Sequence, residues 1–168
     1  MKPLLITLIT MSLSSFTTNR ADRPVNVKAS QEMAIQLIKA IQTNSANVYI
    51  QLIPSLDDFN KVMVENSVVY GNNLKEAQLE FAHDYTFKFI PAAKKSFEDL
   101  IAEGIRRGID WENISLISWE TSDVIEEGFN PAVFAIAIEA QNKIFRIEIE
   151  KAFYWQGQWK VSQFIKLV

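Results

Sequence analysis

The stretch from Ile144 to Trp155 alternates apolar and polar side chains more regularly than any other part of the chain. Phe145, Ile147, Ile149 and Phe153 fall on one side, and Arg146, Glu148 and Glu150 on the other. That is the two-residue period of a strand with one buried face. Gln156-Gly157-Gln158 turns the chain into a last strand, Trp159 to Val168. There Trp159, Val161, Ile165 and Leu167 take the inward side, while Lys160, Ser162 and Lys166 point out. Upstream, Ile114 to Thr121 and Ala132 to Ala140 read as two more strands. An acidic loop, Ser122 to Pro131, separates them, and Gln141-Asn142-Lys143 turns the second into Ile144. Consecutive strands joined this closely form an antiparallel meander, and its apolar face has to be covered by something else in the chain.

The first two-thirds supplies that cover as helices. Ser30 is the expected N-cap of a helix ending near Asn44, with Met33, Leu37 and Ile41 on one apolar stripe. Ala46 to Ile53 fits a strand or a short helix, the helix being preferred because Ser55 and Asp58 restart another as a capping box. Phe59, Val62 and Met63 are the buried side of that second helix, and capping is the expected role of the Asp57-Asp58 pair. Val68-Val69-Tyr70 reads as a short strand and Gly71-Asn72-Asn73 as a turn. A long helical pattern runs from Leu74 through Ala77, Phe81, Tyr85 and Phe89, is kinked or split at Pro91, and continues through Phe97, Leu100 and Ile101. Gly104 and Gly108 are its expected stops. Leu37 and Phe81 are expected to pack toward the same sheet. Helices followed by a meander make an α+β domain, with N-terminal helices packed on a curved four- to five-stranded antiparallel sheet.

The N-terminus has a different character. Met1-Lys2 is followed by an apolar run from Pro3 to Leu13 and then by small residues, the layout of a secretory signal peptide. The run is shorter than the ~20 residues needed to cross a bilayer. The expected organisation is a signal peptide over 1–18, a linker over 19–29 and a single domain over 30–168. Export to the periplasm or beyond follows, with cleavage between Ser15 and Ala29 and no stable membrane span in the mature form.

Composition narrows the chemistry. Seventeen basic against twenty acidic residues, a net charge of -3, provide no basic field for nucleic acid. Zero Cys removes thiol nucleophiles, disulfides and zinc-thiolate sites, and a single His argues against histidine-based metal sites. No cofactor is expected. His83 is read as a helix-surface residue whose neighbour Asp84 points elsewhere, since adjacent helical residues diverge by about 100°. Asn113-Ile114-Ser115 is a sequon by pattern only. Glu126-Glu127 near Asp123 lacks the spacing of a calcium loop, and Lys94-Lys95 with Glu98-Asp99 is a charged helix face.

The order of elements resembles the nuclear transport factor 2-like, or cystatin-like, superfamily. The opening helix around Met33 to Ile41, the helix from Leu74 and the closing Gly157-Gln158-Trp159-Lys160-Val161 carry the likeness, which spans Ser30 to Val168. It implies a cone-shaped cavity between helices and sheet, similar to that of exported bacterial members of unknown function. It also implies a homodimer through the outer sheet face, where Phe164, Tyr154, Ala135 and Ala137 are expected among charges such as Arg146. None of the catalytic positions of its isomerase-like members matches a residue here.

Within such a cavity Tyr49, Tyr85, Trp119 and Gln163 are the candidate ligand-binding groups. Gln163 occupies an inward position between Val161 and Ile165, where an amide requires a ligand, a water or a structural hydrogen bond. The expected function is a non-catalytic exported domain that binds a small, mainly apolar ligand or a protein partner. The alternative is a small cofactor-free enzyme, isomerase- or hydrolase-like, that uses Tyr and carboxylate groups in the cavity.

Overall fold

The computed structural model describes residues 27–65, 67–123, 132–161 and 164–168. Helices come first and a curled antiparallel sheet follows, forming a half-barrel against which the helices pack. The expected signal peptide lies outside the described residues, as do most of the linker, Glu126, Glu127 and Gln163.

The opening helix α1 covers Val27–Gln42. It starts before Ser30, so Ser30 is not its N-cap but a buried residue within the first turns. Met33, Ala34, Leu37, Ile38 and Ile41 form the buried stripe that the spacing predicts. Asn44 closes the helix with a positive φ of 46°. Ser45 N–H donates to Ala40 C=O (2.9 Å) and Asn44 N–H to Ile41 C=O (3.0 Å), which satisfies the terminal carbonyls. Ser45 then caps the short helix α2, Ala46–Ile50, by accepting from Val48 N–H.

Helix α3, Leu56–Glu65, opens on the expected capping box. Ser55 N–H donates to Asp58 Oδ2 (2.9 Å), and Asp58 N–H donates to Ser55 Oγ (3.1 Å). The next residues overturn an expectation. Ser67–Tyr70 is a single helical turn, α4, rather than a strand, with Val68 95% and Val69 59% exposed. A β-branched pair favours a strand only when a neighbouring strand pairs with it, and none of the described strands does so.

Helix α5, Leu74–Asp84, passes through a π-helical turn, Tyr85–Phe89, into α6, Ile90–Arg106. Ile90 N–H donates back to Tyr85 C=O, so the turn is widened just ahead of Pro91, which has no N–H to give. The expected split at Pro91 takes this form. Ala93, Phe97, Leu100, Ile101 and Gly104 are the buried face of α6. Gly104 is therefore inside the helix and not a stop. Gly108, at φ 78°, is the stop, with Ile109 N–H donating to Gly104 C=O (2.8 Å).

The strands are β1 Ser115–Asp123, β2 Ala132–Ala140, β3 Lys143–Trp155, β4 Gln158–Val161 and β5 Ile165–Leu167. β1 pairs β2 and β2 pairs β3, while β4 and β5 lie in succession along the other side of β3. The expected last strand is thus two short ones. Both hairpins of β3 turn on two residues with positive φ, Gln141-Asn142 and Gln156-Gly157, whose twist suits antiparallel strands.

Ile147 and Ile149 point inward opposite Ile136 and Phe134, as their alternation predicts. Past Ile149 the register shifts: Phe134 pairs with Ile149, but Ala132 pairs with Ala152. This bulge flips the faces. Ala152 joins the core in place of Phe153, which is buried outside that cluster. Tyr154 then pairs with Trp159, whose ring packs on the core, so Tyr154 is on the inner side of the sheet and not the outer one.

The core lies between α1, α2, α6 and the inner face of the sheet. Phe81 is not part of it. It packs in a satellite cluster with Phe59 at 4.8 Å and Tyr85 at 6.0 Å between ring centroids.

Candidate functional site

Tyr49 is carried into the core by α2 and is fully buried. Its ring stacks on Phe97 of α6 at 5.1 Å between centroids, 21° from parallel. Its hydroxyl has no hydrogen-bond partner. Burial pushes the phenol well above its ordinary range, so it stays a neutral O–H at any physiological pH.

Tyr85 occupies the π-helical turn. Its ring stacks on Phe89 and meets the edge of Phe59, and its hydroxyl donates to Pro54 C=O at 2.8 Å. Burial, and behind it the Asp58 charge, raise its pKa. The Asp58 charge acts on Tyr85, yet each has a structural task. Tyr85 ties the α5–α6 junction to the segment between α2 and α3, and Asp58 Oδ2 accepts from Ser55.

Trp119 lies opposite Ile136 on the inner face of β1, and its Nε1–H donates to Ser30 Oγ at 3.1 Å. This explains the polar residue buried on α1. Gln163 lies outside the described residues. The three described candidates have different neighbours: Tyr49 the face of α6, Tyr85 the satellite cluster, and Trp119 the first turns of α1.

One inward group was not singled out as a candidate by sequence reasoning. The indole Nε1 of Trp159 is buried without an acceptor, while its ring lies against Phe134 and Tyr154. The available signal was an inward-facing Trp, because a buried indole N–H ordinarily finds a partner. Asn60 Oδ1 and the Tyr70 hydroxyl, on α3 and α4, are also buried without partners.

Other candidates have plain surroundings. His83 is exposed as expected, but its Nδ1 does reach Asp84 Oδ1, at 3.3 Å. Side chains can bend along the helix even where their Cβ directions diverge. The closer partner of Asp84 is Lys88 one turn on, at 2.7 Å, and that hydrogen bond is the main reason the carboxyl is held below its ordinary value. Lys95 and Asp99 pair across one turn of α6, and Asn113 donates to Asp110 Oδ2. Among the described residues no three His, Cys, Asp or Glu side chains gather where they could hold a metal ion.

The outer face of the sheet carries a lattice of charges. Arg146 pairs with Glu120 and Glu148, and Lys166 with Glu148 and Glu150. Ala135 and Ala137 are beneath these side chains, opposite Glu148 and Arg146 on β3. Ile144 and Val168 are exposed apolar residues on the same side, Val168 N–H donating to Arg146 C=O, and Phe164, just ahead of β5, is exposed as well.

No helix among the described residues is long and apolar enough to cross a membrane. Compared with models of known protein families, with curated proteins and with solved structures, the chain matches none.

Proposed function

We propose that this chain is an exported, non-catalytic domain that binds a small, mainly apolar ligand within its helix-and-sheet core, in the manner of a nuclear transport factor 2-like fold. The observation that supports this most is the Tyr49 hydroxyl, a neutral donor in apolar surroundings with no partner. A buried hydroxyl without a partner costs ~1–3 kcal/mol, and a bound molecule that supplies an acceptor recovers it. The enzyme alternative has less support, because Tyr85 and Asp58 are both engaged structurally. Native mass spectrometry of protein purified from its own host tests the proposal. A retained small molecule is expected, and bare protein alone in gentle conditions counts against it.

Export is part of the same proposal. The described part of α1 runs from Val27, so cleavage after Ser15 and before Val27 keeps all of that part. Intact-mass measurement of fractionated cells is expected to find that shortened form outside the cytosol. Full-length protein in the cytosol refutes it.

A second reading concerns the partner. Ile144, Phe164 and Val168 around the charge lattice suit a homodimer through the outer sheet face. Phe164→Glu is then expected to convert a dimer to a monomer. A monomer at tens of micromolar in the wild type removes the dimer.

A further inference from the structure

The inner side of the fold holds two donors that lack acceptors, and the backbone links their positions. Leu52 N–H donates to Tyr49 C=O at 3.0 Å, and Leu52 C=O accepts from Val161 N–H at 2.8 Å. Val161 is two residues beyond Trp159 on β4, so both point to the same face. Tyr49 and Trp159 therefore enter the interior from two segments that are hydrogen-bonded together. An indole N–H can only donate, and the Tyr49 hydroxyl, kept neutral by burial, is available to donate as well. Among the described residues neither donor has an acceptor.

The surroundings define the acceptor further. Among the described residues the buried polar or charged side chains are Ser30 and Asp84. The first accepts from Trp119 and the second pairs with Lys88, so neither offers a positive charge to the core. An anion would enter without a counter-ion, at a cost of several kcal/mol. Leu37, Ile41, Ile53, Phe97, Phe134 and Val161 are buried in the same hydrophobic core as Tyr49, so the rest of a ligand would meet apolar side chains.

We infer that Tyr49 and Trp159 form the polar end of an internal site for an uncharged, mainly apolar molecule that carries a carbonyl oxygen. The inference rests on the ligand-binding proposal above and names its ligand class. Trp159 becomes a specificity residue, and Tyr49 is assigned a donor's role toward a neutral acceptor.

Two probes of equal chain length, 2-octanone and n-octane, test it by ligand-observed NMR titration of the full chain. Wild-type protein is expected to bind both. Tyr49→Phe, which keeps the ring and its stacking on Phe97, is expected to weaken 2-octanone about tenfold and to leave n-octane unchanged. Trp159→Phe is expected to act in the same direction. Because Trp159→Phe also changes packing, Tyr49→Phe alone decides the outcome if the other variant does not fold. Unchanged affinity of Tyr49→Phe for both probes overturns the donor site while leaving an apolar binding cavity in place. Binding of neither probe to the wild type overturns the ligand-binding proposal itself, and the donor site with it.

Discussion

The indole of Trp111 lies directly on the bare backbone of Gly104. A Cβ built on Gly104 overlaps the Cζ2 and Cε2 atoms of that ring. The same indole is pinned by its Nε1–H, which donates to Ile101 C=O at 2.9 Å. The end of α6 and the start of the sheet are thereby joined at one contact, which only a residue without a side chain permits. Gly104→Ala gains about 1 kcal/mol of helix propensity. It has to displace a buried, hydrogen-bonded ring, an overpacking cost of about 1–3 kcal/mol that can exceed that gain. The expected result is a lower denaturation midpoint in urea, and an unchanged or higher one contradicts the contact.

Ile147 and Glu148 are adjacent on β3 but face opposite sides, the first fully buried against Ile136 and the second among Arg146 and Lys166. Ile147→Ala is expected to cost ~2–5 kcal/mol. Glu148→Ala removes ion pairs at the surface and is expected to cost less than about 1 kcal/mol. Equal midpoints for the two variants would mean a shifted register.

Tyr49 and Tyr85 separate a hydroxyl with a partner from one without. Tyr85→Phe removes the bond to Pro54 C=O and is expected to lower stability by about 1 kcal/mol. Tyr49→Phe removes a hydroxyl that bonds to nothing in the ligand-free protein, so it is expected to be neutral or stabilising. Urea midpoints of both variants, measured without added ligand, check the contrast.

Asp84 provides a pH-dependent contribution with a definite sign. Its carboxyl is held below the ordinary value of 3.8, mainly by the hydrogen bond from Lys88, with burial partly opposing and His83 adding to the effect. The folded protein therefore binds this proton less readily than the unfolded chain. The stabilisation is complete above the unfolded pKa and is lost as pH falls through the folded one. The stability difference between wild type and Asp84→Asn is expected to shrink as pH falls below about 4. A difference that keeps growing below that pH contradicts the ion pair.

Local features of the chain were readable directly. The Ser55–Asp58 capping box, the apolar stripe from Met33 to Ile41 and the inward Ile147 and Ile149 depend on residues a few positions apart, whose directions follow from the helix and strand periods. The α+β order follows from the same periods. Tertiary pairing decided the rest. Phe153 loses its inward place to Ala152 because a bulge depends on where β2 meets β3, and no single strand encodes that. Val68 and Val69 became a helical turn because no described strand lies beside them, and Gly104 became the seat of an indole seven residues away in sequence. The candidate site divides along the same line. That Tyr49, Tyr85 and Trp119 have polar tips is a property of their side chains. Which tips are satisfied is settled by Pro54 and Ser30, 31 and 89 positions away. Hydrogen-bond satisfaction is a property of pairs brought together by folding, and so unpartnered groups such as those of Tyr49 and Trp159 become visible only once the chain is folded.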